Sequence, residues 1–172
     1  MVSRLLKAGP FLLLAVSGQL VCAQSRSVEG TYRNPALGYS IRIPRGLKGV
    51  TGDQAGPERG VKIPLPSGSE IVVFGEPNSL EYKSPEEGIR SELKLKDCES
   101  GQQEIKQATV GRIRGARGRL VCGDRVLRLV LAFRPHGGPI YRLRLETTRL
   151  RETDAGAILE AVAATFRLIP WR

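Results

Sequence analysis

The sequence predicts an α+β fold: an antiparallel sheet of about six to seven strands with two helices. Three observations carry this. Residues 116–147 hold three successive runs of period-two alternation separated by turn residues. Ser84-Pro85-Glu86-Glu87 is a helix start, with a serine cap, proline at the first helical position and a glutamate at the capping-box place. Ile158, Val162 and Phe166 recur at helical spacing, with Leu159 and Ala163 beside them.

The three central strands are the most legible part. In the first, Gly118, Leu120 and Cys122 alternate with Arg117, Arg119 and Val121. In the second, Leu127, Leu129, Leu131 and Phe133 alternate with Arg128, Val130 and Ala132. In the third, Tyr141, Leu143 and Leu145 alternate with Arg142, Arg144 and Glu146. Gly123-Asp124 reads as a tight hairpin turn, and Pro135-His136-Gly137-Gly138-Pro139 separates the second run from the third. Hairpin-linked neighbours are antiparallel, so the expectation is one shared apolar face and one face of Arg117, Arg119, Arg128, Arg142 and Arg144.

The chain opens with Arg4 and Lys7, an apolar run from Phe11 to Val16 and a small-residue site at Val21-Cys22-Ala23. This is the layout of a secretory signal peptide, residues 1–23, cleaved after Ala23. Lipid modification of Cys22 would need a smaller residue than Val21 before it, and a retained anchor is the other alternative. Residues 24–30 follow as a mobile lead-in, and residues 31–172 form a single domain, exported to the periplasm or secreted. In an exported chain the remaining pair, Cys98 and Cys122, reads as a disulfide; two free buried thiols are the alternative.

Elsewhere, Thr31–Asn34 fits a short edge strand, and Tyr39, Ile41 and Ile43 mark another that Pro44 ends. Residues 46–60 lack periodicity and read as a long surface loop. Val61–Leu65 is a short irregular strand and Glu70–Phe74 a clear one. The first helix should run from Pro85 to about Lys96, its thin stripe of Ile89 and Leu93 placing it on the surface. Residues 102–114 hold one more strand of uncertain register. Thr153 or Asp154 caps the second helix, which runs to about Thr165, and Phe166–Ile169 is a last strand.

The chain carries 27 Lys and Arg against 17 Asp and Glu. Residues 24–100 balance at 11 of each sign, whereas residues 101–172 hold 14 basic and 6 acidic side chains. A basic field of arginine suits phosphate or carboxylate partners, although a solvated face that only aids solubility has the same composition. Catalytic signals are thin. His136 is the one histidine and sits in a turn, with no Gly-x-Ser-x-Gly elbow to support a nucleophile. The two cysteines that remain after residue 23 and one histidine do not make a metal cluster, and no cofactor motif is present. Carboxylates pair at Glu86-Glu87 and at Glu99 with Glu104, but acidic residues at a helix start serve its dipole. Among the basic strands the aromatics are Phe133 and Tyr141, both on the expected core face, which argues against nucleic acid.

This order of elements, with Gly38-Tyr39-Ser40-Ile41-Arg42-Ile43-Pro44 near the start and Ala164-Thr165-Phe166-Arg167 near the end, resembles the PsbP/Mog1-like family of α/β/α sandwich domains over residues 30–170. The resemblance implies roles such as photosystem assembly, binding of a small GTPase, or those of exported bacterial members; no functional residue carries over. A three-layer sandwich would cover both faces of the sheet, in conflict with an open arginine face. Either the first helix and its acidic residues partly cover that face, or the domain has two layers.

The leading functional expectation is an exported, non-enzymatic binding or accessory domain that engages an acidic protein or anionic envelope surface through the five arginines. The alternative is a small-ligand or lipid carrier with residues 46–60 as its lid. An enzyme ranks third.

Overall fold

The computed structural model describes residues 25–52, 60–94, 98 and 101–170. The expected signal peptide with Cys22, the expected continuation of the first helix to Lys96, and Glu99 lie outside the described residues. In chain order the elements are β1 (Arg26–Val28), β2 (Thr31–Asn34), β3 (Tyr39–Arg42), β4 (Gly49–Thr51), β5 (Gly60–Pro64), β6 (Glu70–Pro77), α1 (Pro85–Lys94), β7 (Gln102–Val110), β8 (Ile113–Cys122), β9 (Arg125–Phe133), β10 (Pro139–Thr148), a 3-10 turn (Arg149–Arg151), α2 (Glu152–Ala164) and β11 (Arg167–Leu168). They form an 8-stranded antiparallel sheet, in the order β1-β4-β5-β6-β10-β9-β8-β7, and a 3-stranded sheet, β11-β3-β2.

Several expectations are corrected here. Arg26–Val28, expected in a mobile lead-in, pairs with β4, and β4 itself lies inside the expected 46–60 loop. Residues 102–114 are not one strand: Gly111 (φ 60°) and Arg112 turn the chain between β7 and β8. Glycine takes that left-handed conformation without a Cβ penalty. The second helix begins at Glu152, so Thr153 and Asp154 lie in its first turn and neither caps it.

The main correction concerns register. Arg119 of β8 stands opposite Arg128 of β9, so these two share a face as expected, but Leu143 and Leu145 of β10 stand opposite Val130 and Arg128. Residues directly opposite share a face. The apolar row of β10 therefore points the same way as Arg117, Arg119 and Arg128, while Arg142 and Arg144 share the opposite face with Leu129 and Leu131. Both faces of the sheet are buried against a helix. On one face Leu120, Leu127, Leu129 and Leu131 pack on Ile89 and Leu93 of α1. On the other, Val130, Leu143, Leu145, Val73 and Ile63 pack on Leu159 and Val162 of α2 and on the inner side of the small sheet. The result is three layers, with α1 on one side and α2 plus the small sheet on the other.

The first helix, expected at the surface, buries Ile89 and Leu93 completely. Gly118 permits this, because a Cβ there would run into Ile89. The small sheet is held by a ring cluster. Tyr39 stacks on Phe166 at 5.6 Å and meets Tyr141 at 5.4 Å, and the Tyr141 hydroxyl donates to the Leu37 carbonyl at 2.9 Å. Burial pushes the Tyr39 phenol far above its ordinary range. Cys98 and Cys122 form the expected disulfide, their Cα atoms 5.9 Å apart. It joins the segment after α1 to the end of β8.

Candidate functional site

The five arginines expected on one open face are divided between two covered ones, and each is engaged by a carboxylate. Arg119 and Arg128 stand opposite each other on β8 and β9, where like charges would repel. Glu152, in the first turn of α2, relieves this. Arg119 donates to it through Nε at 2.5 Å and Nη2 at 2.6 Å, a bidentate pair, and Arg128 Nε lies 3.9 Å from the same carboxylate. The hydrogen bonds from Arg119 hold the Glu152 carboxyl below the usual range, against the opposing effect of burial. Arg117 pairs with Glu160, two turns further along α2, at 2.7 Å. On the other face Arg142 is buried at 6% exposure, pairs with both Glu76 of β6 and Glu92 of α1, and lies over the Phe74 ring. Arg144 pairs with Glu146. Arg117, Arg119, Arg128 and Arg142 fasten helices to the sheet, while the Arg144 pair stays within β10.

The open basic surface is elsewhere, on the outer side of the small sheet. Arg33 of β2, Ser40 of β3 and Arg167 of β11 stand in one row across the three strands, and Thr31 and Arg42 form the next pair. Alternation sets this up: Tyr32, Asn34, Tyr39 and Ile41 turn inward and are buried, so Arg33 and Arg42 turn out and are exposed. Arg167 is exposed as well, its guanidinium donating to the carbonyls of Ala164 and Phe166 at 2.9 and 2.7 Å. The main-chain N–H of Arg42 donates to Thr165 Oγ1 at 2.9 Å, which ties this face to the end of α2. Among the described residues no carboxylate lies within ion-pair distance of Arg33, Arg42 or Arg167. A groove beside them is lined by Arg112, Ile113, Phe166, Arg167 and Leu168, which adds a fourth arginine from the β7–β8 turn.

The alternation of Tyr39-Ser40-Ile41-Arg42 marked Arg42 as outward in the sequence. Its neighbours Arg33 and Arg167 could not be found that way, because β11 pairs with β3 across almost the whole chain.

Other candidates place less chemistry together. His136 is exposed in the β9–β10 connection with a left-handed backbone (φ 63°). A cleft of about 120 Å³ between α2 and β7–β9 is lined by Glu104, Lys106, Arg117, Arg119, Arg128 and Glu160. Charged walls and a volume well under the several hundred Å³ of a small-molecule pocket give the carrier reading no chamber there. Residues 53–59 of its supposed lid lie outside the described residues. No helix among the described residues is long and apolar enough to cross a membrane.

The sequence matches no protein-family model and no curated protein. Solved structures do match. Cyanobacterial PsbP (CyanoP) from Synechocystis sp. PCC 6803 is 16% identical with a TM-score of 0.56, over 90% of this chain and 98% of its own. LpqN of Mycobacterium tuberculosis, involved in cell envelope biogenesis, is 12% identical with a TM-score of 0.59, over 86% and 91%. The Saccharomyces cerevisiae Ran-binding protein Mog1p is 10% identical with a TM-score of 0.55, over 86% and 97%. At these identities the likeness concerns the fold, and with both sheet faces covered the three-layer alternative of the sequence reading holds: the chain has the PsbP/Mog1-like α/β/α sandwich fold.

Proposed function

We propose that this protein is an exported, non-enzymatic accessory domain that docks an acidic protein surface on the outer side of its small sheet, through Arg33, Arg42 and Arg167. The observation that carries the reading is the contrast in partners. The five arginines of β8, β9 and β10 described above are engaged by carboxylates of the same chain, whereas these three are exposed and face none among the described residues. Arginine forks on a rigid sheet are pre-organised for carboxylates and lose little entropy on binding. The disulfide supports an oxidising compartment. Mog1p, with the same fold, is a Ran-binding protein.

Calorimetric titration with soluble poly-glutamate tests the reading. The triple variant Arg33→Gln, Arg42→Gln, Arg167→Gln should bind at least roughly tenfold more weakly while its melting temperature stays near that of the parent. Replacing exposed Arg90 of α1, on the far side of the large sheet, by glutamine (Arg90→Gln) should leave binding unchanged. Equal binding by the triple variant overturns the assignment. Binding to phosphatidylglycerol vesicles but not to poly-glutamate would replace the protein partner with an envelope surface.

A further inference from the structure

Strand β7 forms one edge of the large sheet and differs from the other sheet edges among the described residues. It is 9 residues long and contains no proline. The opposite edge, β1, has 3 residues, and the edges of the small sheet, β2 and β11, have 4 and 2. Short edges resist pairing with other chains, whereas a long one offers an unpaired ladder.

Which groups β7 offers follows from its hairpin. Val110 stands opposite Ile113 across the two-residue Gly111-Arg112 loop, so that pair exchanges both hydrogen bonds. Bonding pairs then recur at every second residue. Ala108, Lys106, Glu104 and Gln102 direct their N–H and C=O groups to β8, and Thr109, Gln107, Ile105 and Gln103 direct theirs outward. Side chains alternate with the same period, so the residues bonded to β8 share one face and the outward-bonding ones the other. Glu104 and Lys106 share the face of Arg119 and Arg117, toward α2, and Ile105 lies on the α1 side, half-buried against that core.

We propose that β7 pairs antiparallel with β7 of a second copy of this chain about a two-fold axis through Ile105, so that one sheet runs through both molecules. Symmetric pairings that satisfy the outward groups centre on residues 103 to 107, and charge separates them. Centring on Glu104 or Lys106 sets that residue against its own copy, like charge on like charge. Centring on Gln103 or Gln107 leaves the charges unmatched. Centring on Ile105 sets Glu104 opposite Lys106 of the second copy twice, Ile105 against Ile105, and Gln103 against Gln107. Within one chain Glu104 and Lys106 already pair with each other, but that pair is exposed, and exchanging it for two intermolecular pairs costs little.

Sedimentation velocity of the full folded chain over a range of concentrations tests this, with melting curves as the check on folding. The parent should show a dimer that dissociates on dilution. Gln107→Pro removes an outward N–H and leaves the ladder to β8 intact, so it should melt like the parent and sediment as a monomer. Glu104→Lys should weaken the dimer roughly tenfold or more by placing lysines opposite each other, and Glu104→Lys with Lys106→Glu should restore it. Should Gln107→Pro fail to fold, the charge pair decides. A parent that stays monomeric throughout, or a dimer indifferent to both the proline and the charge reversal, overturns the proposal.

Discussion

Glu152 shows how much a single side chain organises here. Its carboxylate receives two hydrogen bonds from Arg119, sits near Arg128 and lies in the first turn of α2, where negative charge also suits the helix dipole. Removing it would leave two half-buried guanidinium groups facing each other. Glu152→Gln should therefore cost roughly 1.5–3 kcal/mol at neutral pH, read by urea denaturation. The carboxyl titrates lower folded than unfolded, so its contribution is complete above the unfolded carboxylate value and is lost as pH falls through the folded one. The gap between parent and variant should close when the denaturation is repeated in that acid range. The sequence displayed Arg119 and Arg128 as members of alternating strands, but not their partner. Glu152 lies 33 residues from Arg119, and nothing local in a glutamate at a helix start says which sheet face it will meet.

Strand β9 explains both the success and the failure of reading elements from pattern. Its existence and length were plain from Val126 to Phe133. Its orientation was not, because both of its rows are apolar: Leu127, Leu129 and Leu131 on one side, Val126, Val130 and Ala132 on the other, all buried. A strand covered on both faces reads as a near-continuous apolar run, and Arg128, interrupting that run, gives it the alternation of a half-buried strand. Strand β10 then turned its apolar row the other way, and the expected common arginine face came apart. Helix α1 departs from its pattern for a related reason. Two large apolar residues make a stripe thin enough for a surface helix, yet Gly88 and Gly118 let them sink into the sheet, since a Cβ at either would meet a core side chain at once. Gly118→Val should cost about 1–3 kcal/mol through overpacking against Ile89, measured as a fall in denaturation midpoint with an unchanged slope.

In the molecule as a whole, three layers place two cores on either side of one sheet, and the disulfide anchors the α1 side. Closing the loop between Cys98 and Cys122 contributes about 3 kcal/mol in the chain-entropy view, so Cys98→Ala with Cys122→Ala should lower stability by about that amount. A calorimetric scan of the double variant beside the parent measures it. The two helices, the central strands and the cysteine pair were legible because each rests on local pattern or on cysteine count. The small sheet was legible only as isolated strands, since its assembly joins segments from opposite ends of the domain. That separation governs timing. The bond from Arg42 to Thr165 spans 123 residues, and bringing such distant segments together carries a loop-closure cost that slows folding. A chain halted before Thr165 has no β11 and no stacked Phe166, so Arg33 and Arg42 would lack the third member of their row. The basic surface comes into being only once Arg167 has been made and β11 has closed on β3, which makes it a mark of the finished domain.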